Sequence, residues 1–75
     1  MVIDTSNIPI GTTFRYRLRK YHVVNFFYDR GILHYVARYY GKYKQWWFYE
    51  VFADWEIEAY ISNGLITKFK AKKGE

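Results

Sequence analysis

The stretch YHVVNFFYDRGILHYVARYY, from Tyr21 to Tyr40, decides the fold of this chain. Two runs rich in β-branched and aromatic residues flank the triplet Asp29-Arg30-Gly31, which is typical of an antiparallel hairpin. We predict a three-residue loop there, with Gly31 in the left-handed conformation that glycine adopts without strain. This register pairs three sets of residues across the hairpin, namely Phe26 with His34, Val24 with Val36, and His22 with Arg38.

Further strands are predicted on both sides of this hairpin. After a lead-in turn over residues 8–12, apolar and basic residues alternate from Thr13 to Arg19, which indicates a half-buried strand with a basic outer face. Residues 41–44 form a second turn, and Trp46–Phe52 supply another strand. Together these segments predict a four-stranded antiparallel meander. In its first strand the apolar side consists of Phe14, Tyr16 and Leu18.

Two structures are equally consistent with residues 54–63. One is a short helix that Asp54 caps, with Glu56 near the positive end of the helix dipole and Asn63-Gly64 closing the helix. The other is a hairpin in which apolar and polar residues alternate and Asn63-Gly64 forms the turn. In both structures Leu65–Lys72 form a final strand. We expect that strand to carry Leu65, Thr67, Phe69 and Ala71 on one side and Lys68, Lys70 and Lys72 on the other.

Composition sets the size and class of the fold. Seventy-five residues make a single domain, here residues 1–75, and because the chain has no cysteine its stability depends on its core. Aromatic residues make up 24% of the chain, enough to build that core and leave about half of them partly exposed. We predict a mainly β fold, an antiparallel meander of five to six strands curled into an SH3-like or OB-like barrel. Residues 1–8 are expected to be a flexible N-terminal arm.

Neither a catalytic centre nor a metal site is predicted. His22 and His34 are expected roughly 13 Å apart on one face of the hairpin, too far to share a metal ion. Neither Ser6 nor Ser62 lies in a nucleophile motif, and the acidic cluster Glu50–Glu58 is interpreted as a solvated edge. The sequence contains no glycine-rich phosphate loop, secretion signal or membrane-spanning stretch. We expect a non-catalytic protein of the reducing cytoplasm that uses no cofactor.

Basic residues are clustered along the chain. Twelve Lys and Arg against seven Asp and Glu give a net charge of +5. Two of the basic clusters alternate along strands: the first contains Arg15, Arg17, Arg19 and Lys20, and the last contains Lys68, Lys70, Lys72 and Lys73. If the first and last strands pair, the two basic stripes lie side by side, where like charges destabilise a sheet unless an anion binds them. The alternative is that lysines on an edge strand prevent aggregation. The candidate phosphate contacts are Arg15, Arg17, Arg19, Arg38, Lys42, Lys44, Lys68, Lys70 and Lys72.

Aromatic residues are interleaved with this charge at the second turn. Rings for base stacking lie beside ammonium groups for phosphate, as in proteins that bind single-stranded nucleic acid without sequence preference. The alternative is that Trp46 or Trp47 fills the core and the tyrosines cover its rim. The candidate stacking residues are Tyr40, Tyr43 and Trp46.

These patterns predict a small accessory protein that binds nucleic acid, with single strands favoured. The alternative is a protein-binding module that docks through its aromatic surface, such as an inhibitor or regulator of a larger protein, of the kind that phages and mobile elements encode. The concentration of acidic residues in Glu50–Glu58 supports that alternative. Self-association through an open sheet edge is a third hypothesis.

Overall fold

The computed structural model describes residues 4–72, which form a five-stranded antiparallel sheet and one helix. The elements are β1 Thr13–Tyr16, β2 Arg19–Asp29, β3 Ile32–Gly41, β4 Trp46–Ala53, α1 Asp54–Ser62 and β5 Ile66–Lys70. The strand order β4-β3-β2-β1-β5 confirms the mainly β prediction and the meander, and β5 returns to pair with β1. Because β4 and β5 are the two edges of the sheet in the described part of the chain, closure into a barrel is not confirmed.

The first strand is shorter than predicted. β1 ends at Tyr16, which pairs with Arg19, so Arg17 and Leu18 form a two-residue turn. Their φ angles of 53° and 63° are left-handed, as in the hairpin turns that match the twist of a sheet. Leu18 is 88% exposed, and its predicted place on the apolar side of the strand is therefore wrong. Neither Arg nor Leu is typical of such a turn, which is why the sequence pattern did not show it.

The β2–β3 hairpin closes with two residues rather than three. Asp29 pairs with Ile32, and Arg30-Gly31 form the turn with φ angles of 53° and 78°. The shorter loop moves the register by one residue, so that Phe26 pairs with Tyr35. The predicted pairs Phe26–His34 and Val24–Val36 are therefore wrong.

A β-bulge at Val24 then restores the register. Val23 pairs with Ala37, whereas the next paired residue of β2 is Asn25, so Val24 is an extra residue without a partner on β3. Beyond the bulge, His22 does lie opposite Arg38, as predicted. Of the three predicted pairs, His22–Arg38 is therefore the one that the structure confirms.

Residues 54–62 are helical, which settles the choice between helix and hairpin. The backbone N–H of Ala53 donates a hydrogen bond to the Glu56 carboxylate over 2.9 Å, so Glu56 caps the helix. The prediction that Asp54 is the cap is wrong, because Asp54 is already the first helical residue. The carboxylates of Asp54 and Glu56 both lie in the first turn, where the helix dipole favours negative charge.

Asn63-Gly64 closes the helix, as predicted. The N–H of Gly64 donates to the Ile61 carbonyl and that of Leu65 to the Tyr60 carbonyl, with Gly64 at a φ of 74°, and this pattern is a Schellman motif. The helix packs on the sheet through fully buried Ile57, with Tyr60 and Ile61 beside it. These positions, spaced three and four residues apart, form the inward face.

The last strand faces the core with different residues from those predicted. Ile66 is buried and Phe69 packs against the core, whereas Leu65 and Thr67 are exposed. Lys68 has a left-handed φ of 51°, and the pairing of β5 with β1 shifts register at this point. The irregularity changes which side each residue faces, and the strand spans only Ile66–Lys70, so the prediction that Leu65, Thr67, Phe69 and Ala71 share one side of it is wrong.

The largest fully buried side chains of the core are aromatic. Phe14 stacks on Tyr21 at a centroid distance of 5.4 Å and meets Phe52 edge-on at 5.7 Å. Tyr16 stacks on Tyr60 of the helix at 5.2 Å. Eight of the eighteen aromatic side chains remain exposed, so a large part of the aromatic surface is not used by the core.

The N-terminal segment is anchored to β3 through Tyr35. The buried hydroxyl of Tyr35 donates to the Thr5 carbonyl over 2.7 Å and accepts a hydrogen bond from the Ile8 N–H over 3.0 Å. Thr5 and Ile8 are themselves buried. Residues 1–3 of the expected N-terminal arm lie outside the described residues.

Candidate functional site

A groove of about 840 Å³ lies where the β1–β2 turn and the β3–β4 turn approach each other at one end of the sheet. We call it the basic groove. Its lining contains six basic and five aromatic side chains, and the described residues that line it include no Asp or Glu. The basic residues are Arg15, Arg17, Arg19, Lys20, Lys42 and Lys44, and the aromatic residues are Tyr39, Tyr40, Tyr43, Trp47 and Phe48.

Two cations face each other on one wall of the basic groove. Arg15 of β1 lies directly opposite Lys20 of β2, and both side chains are exposed. Because β1 also pairs with β5, the same two residues line a second depression of about 210 Å³ together with Lys68 and Lys70. Of the two stripes expected to lie side by side, the structure therefore brings Arg15 beside Lys68 and Lys70.

The other two arginines of the first cluster reach the basic groove from different elements. Arg17 lies in the β1–β2 turn with its guanidinium 5.1 Å from the centre of the Tyr16 ring. Arg19 begins β2 and places its guanidinium 4.5 Å from the centre of the Tyr39 ring. Cation–π contacts of this kind hold the two charges at the mouth of the basic groove. Arg15, Arg17 and Arg19 thus line one groove without forming a single stripe on one strand.

A hydrogen-bonded pair lies behind Arg19. The hydroxyl of buried Tyr21 donates to the Glu50 carboxylate over 2.9 Å. Burial, followed by this hydrogen bond, raises the pKa of Tyr21 to about 12. A hydrogen bond with Tyr21 in turn raises the pKa of Arg19. The carboxylate of Glu50 is used within the fold and is not among the groups that line the basic groove.

Trp47 rather than Trp46 is the tryptophan of the basic groove. Trp47 pairs with Tyr40 across β3 and β4, and the two rings meet edge-on at 5.3 Å. Trp46 lies opposite Gly41, is 70% exposed and is not part of the lining. Successive residues of a strand face opposite sides of the sheet. The four-residue turn between Gly41 and Trp46 therefore decides that Trp47, and not Trp46, faces the basic groove.

Arg38 packs against Trp47, a residue that lines the basic groove. Its guanidinium lies 4.2 Å from the centre of the Trp47 ring, and its Nε is buried without a hydrogen-bond partner among the described residues. Arg38 is not among the residues that line the basic groove, although it was predicted as a phosphate contact. Its position against Trp47 instead fixes the ring that faces the groove.

His22 joins the basic groove although the sequence did not single it out as a binding residue. It lies on β2 between Thr13 and Arg38 and meets Trp47 edge-on at 6.1 Å. Burial, together with the charges of Lys20 and Arg38, lowers the pKa of His22. These surroundings favour the neutral imidazole over the charged form.

The β3–β4 turn gives the basic groove its exposed tip. The N–H of Gln45 donates to the Gly41 carbonyl over 2.7 Å and closes the turn. A Cβ on Gly41 would lie 2.6 Å from the Phe48 ring, so any other residue here would force that ring to move. Tyr43 projects from the turn with its side chain fully exposed. Lys42 and Lys44 flank that ring, as predicted from the sequence.

Lys72 lies apart from both depressions. Its backbone N–H donates to the Thr12 hydroxyl over 3.2 Å, and its aliphatic side chain runs alongside Gly11. It lines neither the basic groove nor the smaller depression beside it. Lys68, Lys70 and Lys72 were all predicted to contact phosphate. The fold brings Lys68 and Lys70 to the site but not Lys72.

The described residues show neither a metal centre nor a membrane helix. Among residues 4–72, no group of three or more His, Cys, Asp or Glu side chains is placed to hold a metal ion. Within the same range, no helix has the length and apolar character that crossing a membrane requires.

Comparison with known protein families, curated proteins and solved structures gives no match for this chain. What can be concluded about function therefore depends on the chemistry of the basic groove. Its cations are suited to phosphates or other repeated anions, and its exposed rings are suited to flat, polarisable groups. A ligand that carries both kinds of group fits the arrangement best.

Proposed function

We propose that this protein binds nucleic acid in the basic groove and prefers single strands to duplexes. The observation that carries the proposal is the lining of six basic and five aromatic side chains without a carboxylate among its described residues. Cations that follow a phosphate backbone and rings that stack on bases are the two parts of a single-strand site.

The charge arrangement supports a polyanion in particular. Like charges placed directly opposite each other on a sheet are destabilising, and Arg15 and Lys20 are placed in this way. The neighbouring Lys68 and Lys70 add to the repulsion. A phosphate backbone running from the basic groove into the smaller depression offsets this repulsion. The same contacts release counterions from the nucleic acid, which is the main source of sequence-independent affinity.

The aromatic residues support single strands over duplexes. Tyr43 is fully exposed at the tip of a turn, and Tyr40 and Trp47 lie side by side within the groove. Bases in a duplex have their faces stacked on one another, whereas an unpaired base presents a free face to such rings. We therefore propose that these three rings stack on unpaired bases, without reading their sequence.

The proposal is tested by mapping the site with NMR. Isotopically labelled protein is titrated with an unstructured single-stranded oligonucleotide and, as a matched control, with a polyphosphate of similar charge that has no bases. We expect amide shifts around the basic groove with both ligands, and shifts of the Trp47 indole and Tyr43 ring signals only with the oligonucleotide. Shifts confined to the β2–β3 turn near Arg30, at the other end of the sheet, would contradict the proposal.

A protein-binding module is the second candidate, and one observation favours it. Exposed apolar side chains gather at the far end of the β2–β3 hairpin, away from the basic groove. An inhibitor or regulator that docks on a larger protein would use such a patch, because aromatic residues are enriched at interfaces. The exposed residues of the patch are Phe26, Phe27, Tyr28 and Ile32.

Two further predictions are independent of which function is correct. They are the closure of the sheet into an SH3-like or OB-like barrel and a location in the cytoplasm.

A further inference from the structure

The two edges of the sheet differ in how they are protected. β5 is five residues long, carries Lys68 and Lys70, and is interrupted by the left-handed backbone at Lys68. Lysines, short length and irregular backbone are the means by which edge strands avoid pairing with other chains. β5 is therefore a protected edge.

β4 has none of these features. It is eight residues long, and its sequence WWFYEVFA contains no Lys, Arg or Pro. Its pairing with β3 runs without interruption from Gly41–Trp46 to His34–Ala53, so the strand has no bulge. Every second residue of an antiparallel strand directs its N–H and C=O away from its neighbour, and within residues 4–72 β4 has a neighbour on one side only. This edge is long, regular and aromatic, the type that most readily pairs with another strand.

The side chains of β4 also favour association. Tyr49 is 60% exposed and Val51 is 49% exposed, although both are residue types that stabilise strands by cross-strand packing. The single charged residue of the strand is Glu50, and the Tyr21 hydroxyl already donates to its carboxylate. Little charge therefore has to lose its solvent when a second strand approaches.

We infer that the β4 edge binds the β4 edge of a second copy of this chain. Two identical strands that run antiparallel are self-complementary about a two-fold axis, so one contact closes the assembly at a dimer. An axis at Tyr49 places each Glu50 opposite Phe48 of the other copy, and the two carboxylates do not face each other. Pairing of β4 with a second copy's β5 would instead propagate into a filament, and the irregular backbone at Lys68 opposes it.

The contact between the two β4 edges is small. Eight strand residues extend over about 26 Å, which is a small interface if only backbone bonds and adjacent side chains take part. The dimer is therefore concentration-dependent, with monomer and dimer in exchange. The inference does not depend on nucleic-acid binding, because it concerns the hydrogen-bonding edge of β4 and not the lining of the basic groove.

Sedimentation velocity over a wide range of protein concentration tests the inference. We expect the mass to rise from 9.2 kDa towards twice that value and to stop there. Val51→Lys, which places a charge on the β4 edge, is expected to keep the protein monomeric at every concentration. Thr67→Lys adds the same charge to the exposed face of β5 and serves as the matched control, with dimerisation unchanged.

Three results would overturn the inference: a wild-type mass that stays at the monomer value throughout, growth beyond a dimer, or dissociation by Thr67→Lys instead of Val51→Lys. Amide hydrogen exchange of the wild-type protein gives a second test that needs no variant. Protection of alternate amides in Trp46–Ala53 should increase with protein concentration, whereas that of β5 amides should not. Concentration-independent exchange along β4 would exclude the pairing.

Discussion

Arg15 and Lys20 occupy directly opposite positions on β1 and β2, so two cations of the same charge share one face of the sheet. Like charges placed directly opposite each other destabilise a sheet. Both residues line the basic groove and the smaller depression next to it. The fold thus accepts a repulsion at the place where a bound phosphate backbone would remove it.

The double variant Arg15→Gln/Lys20→Gln is expected to weaken binding and to leave the fold at least as stable. Two lost phosphate contacts should reduce the slope of log affinity against log salt by about 1.4 for a single strand. The free energy of unfolding should stay the same or rise by up to about 1 kcal/mol, because the repulsion is gone. Anisotropy over a salt series measures the slope, and urea denaturation measures the stability.

The control for that pair is Arg30→Gln/Lys72→Gln, which removes the same charge from residues outside both depressions. Its salt slope should remain close to that of the wild type. Equal slopes for the two double variants would show that net charge alone drives binding and that the basic groove is not the site.

Much of the fold could be predicted from residue patterns, and the errors have local physical causes. Alternation of apolar and polar residues predicted the four-stranded meander, and Asn63-Gly64 correctly marked the end of the helix. Arg17-Leu18 was missed as a turn because neither residue is typical of a left-handed backbone. The bulge at Val24 and the irregularity at Lys68 each change which face the following residues occupy, and no sequence pattern indicates them.

The candidate site was predicted only as a set of clusters. Pairing of the first and last strands was anticipated, and it does bring Arg15 near Lys68 and Lys70. The choice of Trp46 over Trp47 depended on the length of one turn, which the sequence left open. His22 was not predicted to line the basic groove, because its place there depends on a neighbour from another strand, Trp47, and not on its own sequence context.

Trp47→Ala is expected to lower affinity for single strands by about 1–3 kcal/mol, the usual contribution of one stacked base. Trp46→Ala removes a ring of the same type that lies outside the basic groove, and its affinity should match the wild type. Titration calorimetry of both variants with one oligonucleotide measures the difference. A larger loss of affinity for Trp46→Ala than for Trp47→Ala would mean that bases stack on the opposite face of β4, which would contradict the assignment to Trp47.

Tyr43→Ala is expected to lower affinity for single strands without changing the stability of the fold. The side chain is fully exposed, so the urea midpoint should not change. Affinity for single strands should fall, because a stacking ring is lost, and Tyr43→Phe should restore it because that variant keeps the ring. If the Ala and Phe variants bind equally, the ring of Tyr43 has no part in stacking.

Binding is expected to strengthen as the pH falls from about 8 to about 5, the range in which histidine titrates. The surroundings of His22 lower its pKa in the free protein, and a bound phosphate favours the charged imidazolium and raises that pKa again. The complex therefore takes up a proton, which makes affinity increase at lower pH. His22→Gln should remove this dependence, and His34→Gln should retain it because His34 does not line the basic groove. Identical pH profiles for the two variants would contradict the role of His22.

Tyr35→Phe is expected to destabilise the protein by about 1–3 kcal/mol. The buried hydroxyl bonds to the backbone of both Thr5 and Ile8, and its removal leaves a buried N–H and a buried carbonyl without partners. Tyr43→Phe makes the same chemical change at an exposed ring and should leave the free energy of unfolding unchanged. Urea denaturation of the two variants gives the comparison, and equal stabilities would mean that the N-terminal segment does not depend on Tyr35.

The most direct test of the central proposal is fluorescence anisotropy with labelled single-stranded DNA, single-stranded RNA and duplex DNA, each over a series of salt concentrations. We predict affinity that falls steeply as salt increases for every ligand, with both single strands bound more tightly than the duplex, since only they offer unstacked bases to Tyr40, Tyr43 and Trp47. The electrostatic contribution is largest at low salt. Absence of binding to all three ligands there would contradict the assignment of the basic groove to nucleic acid.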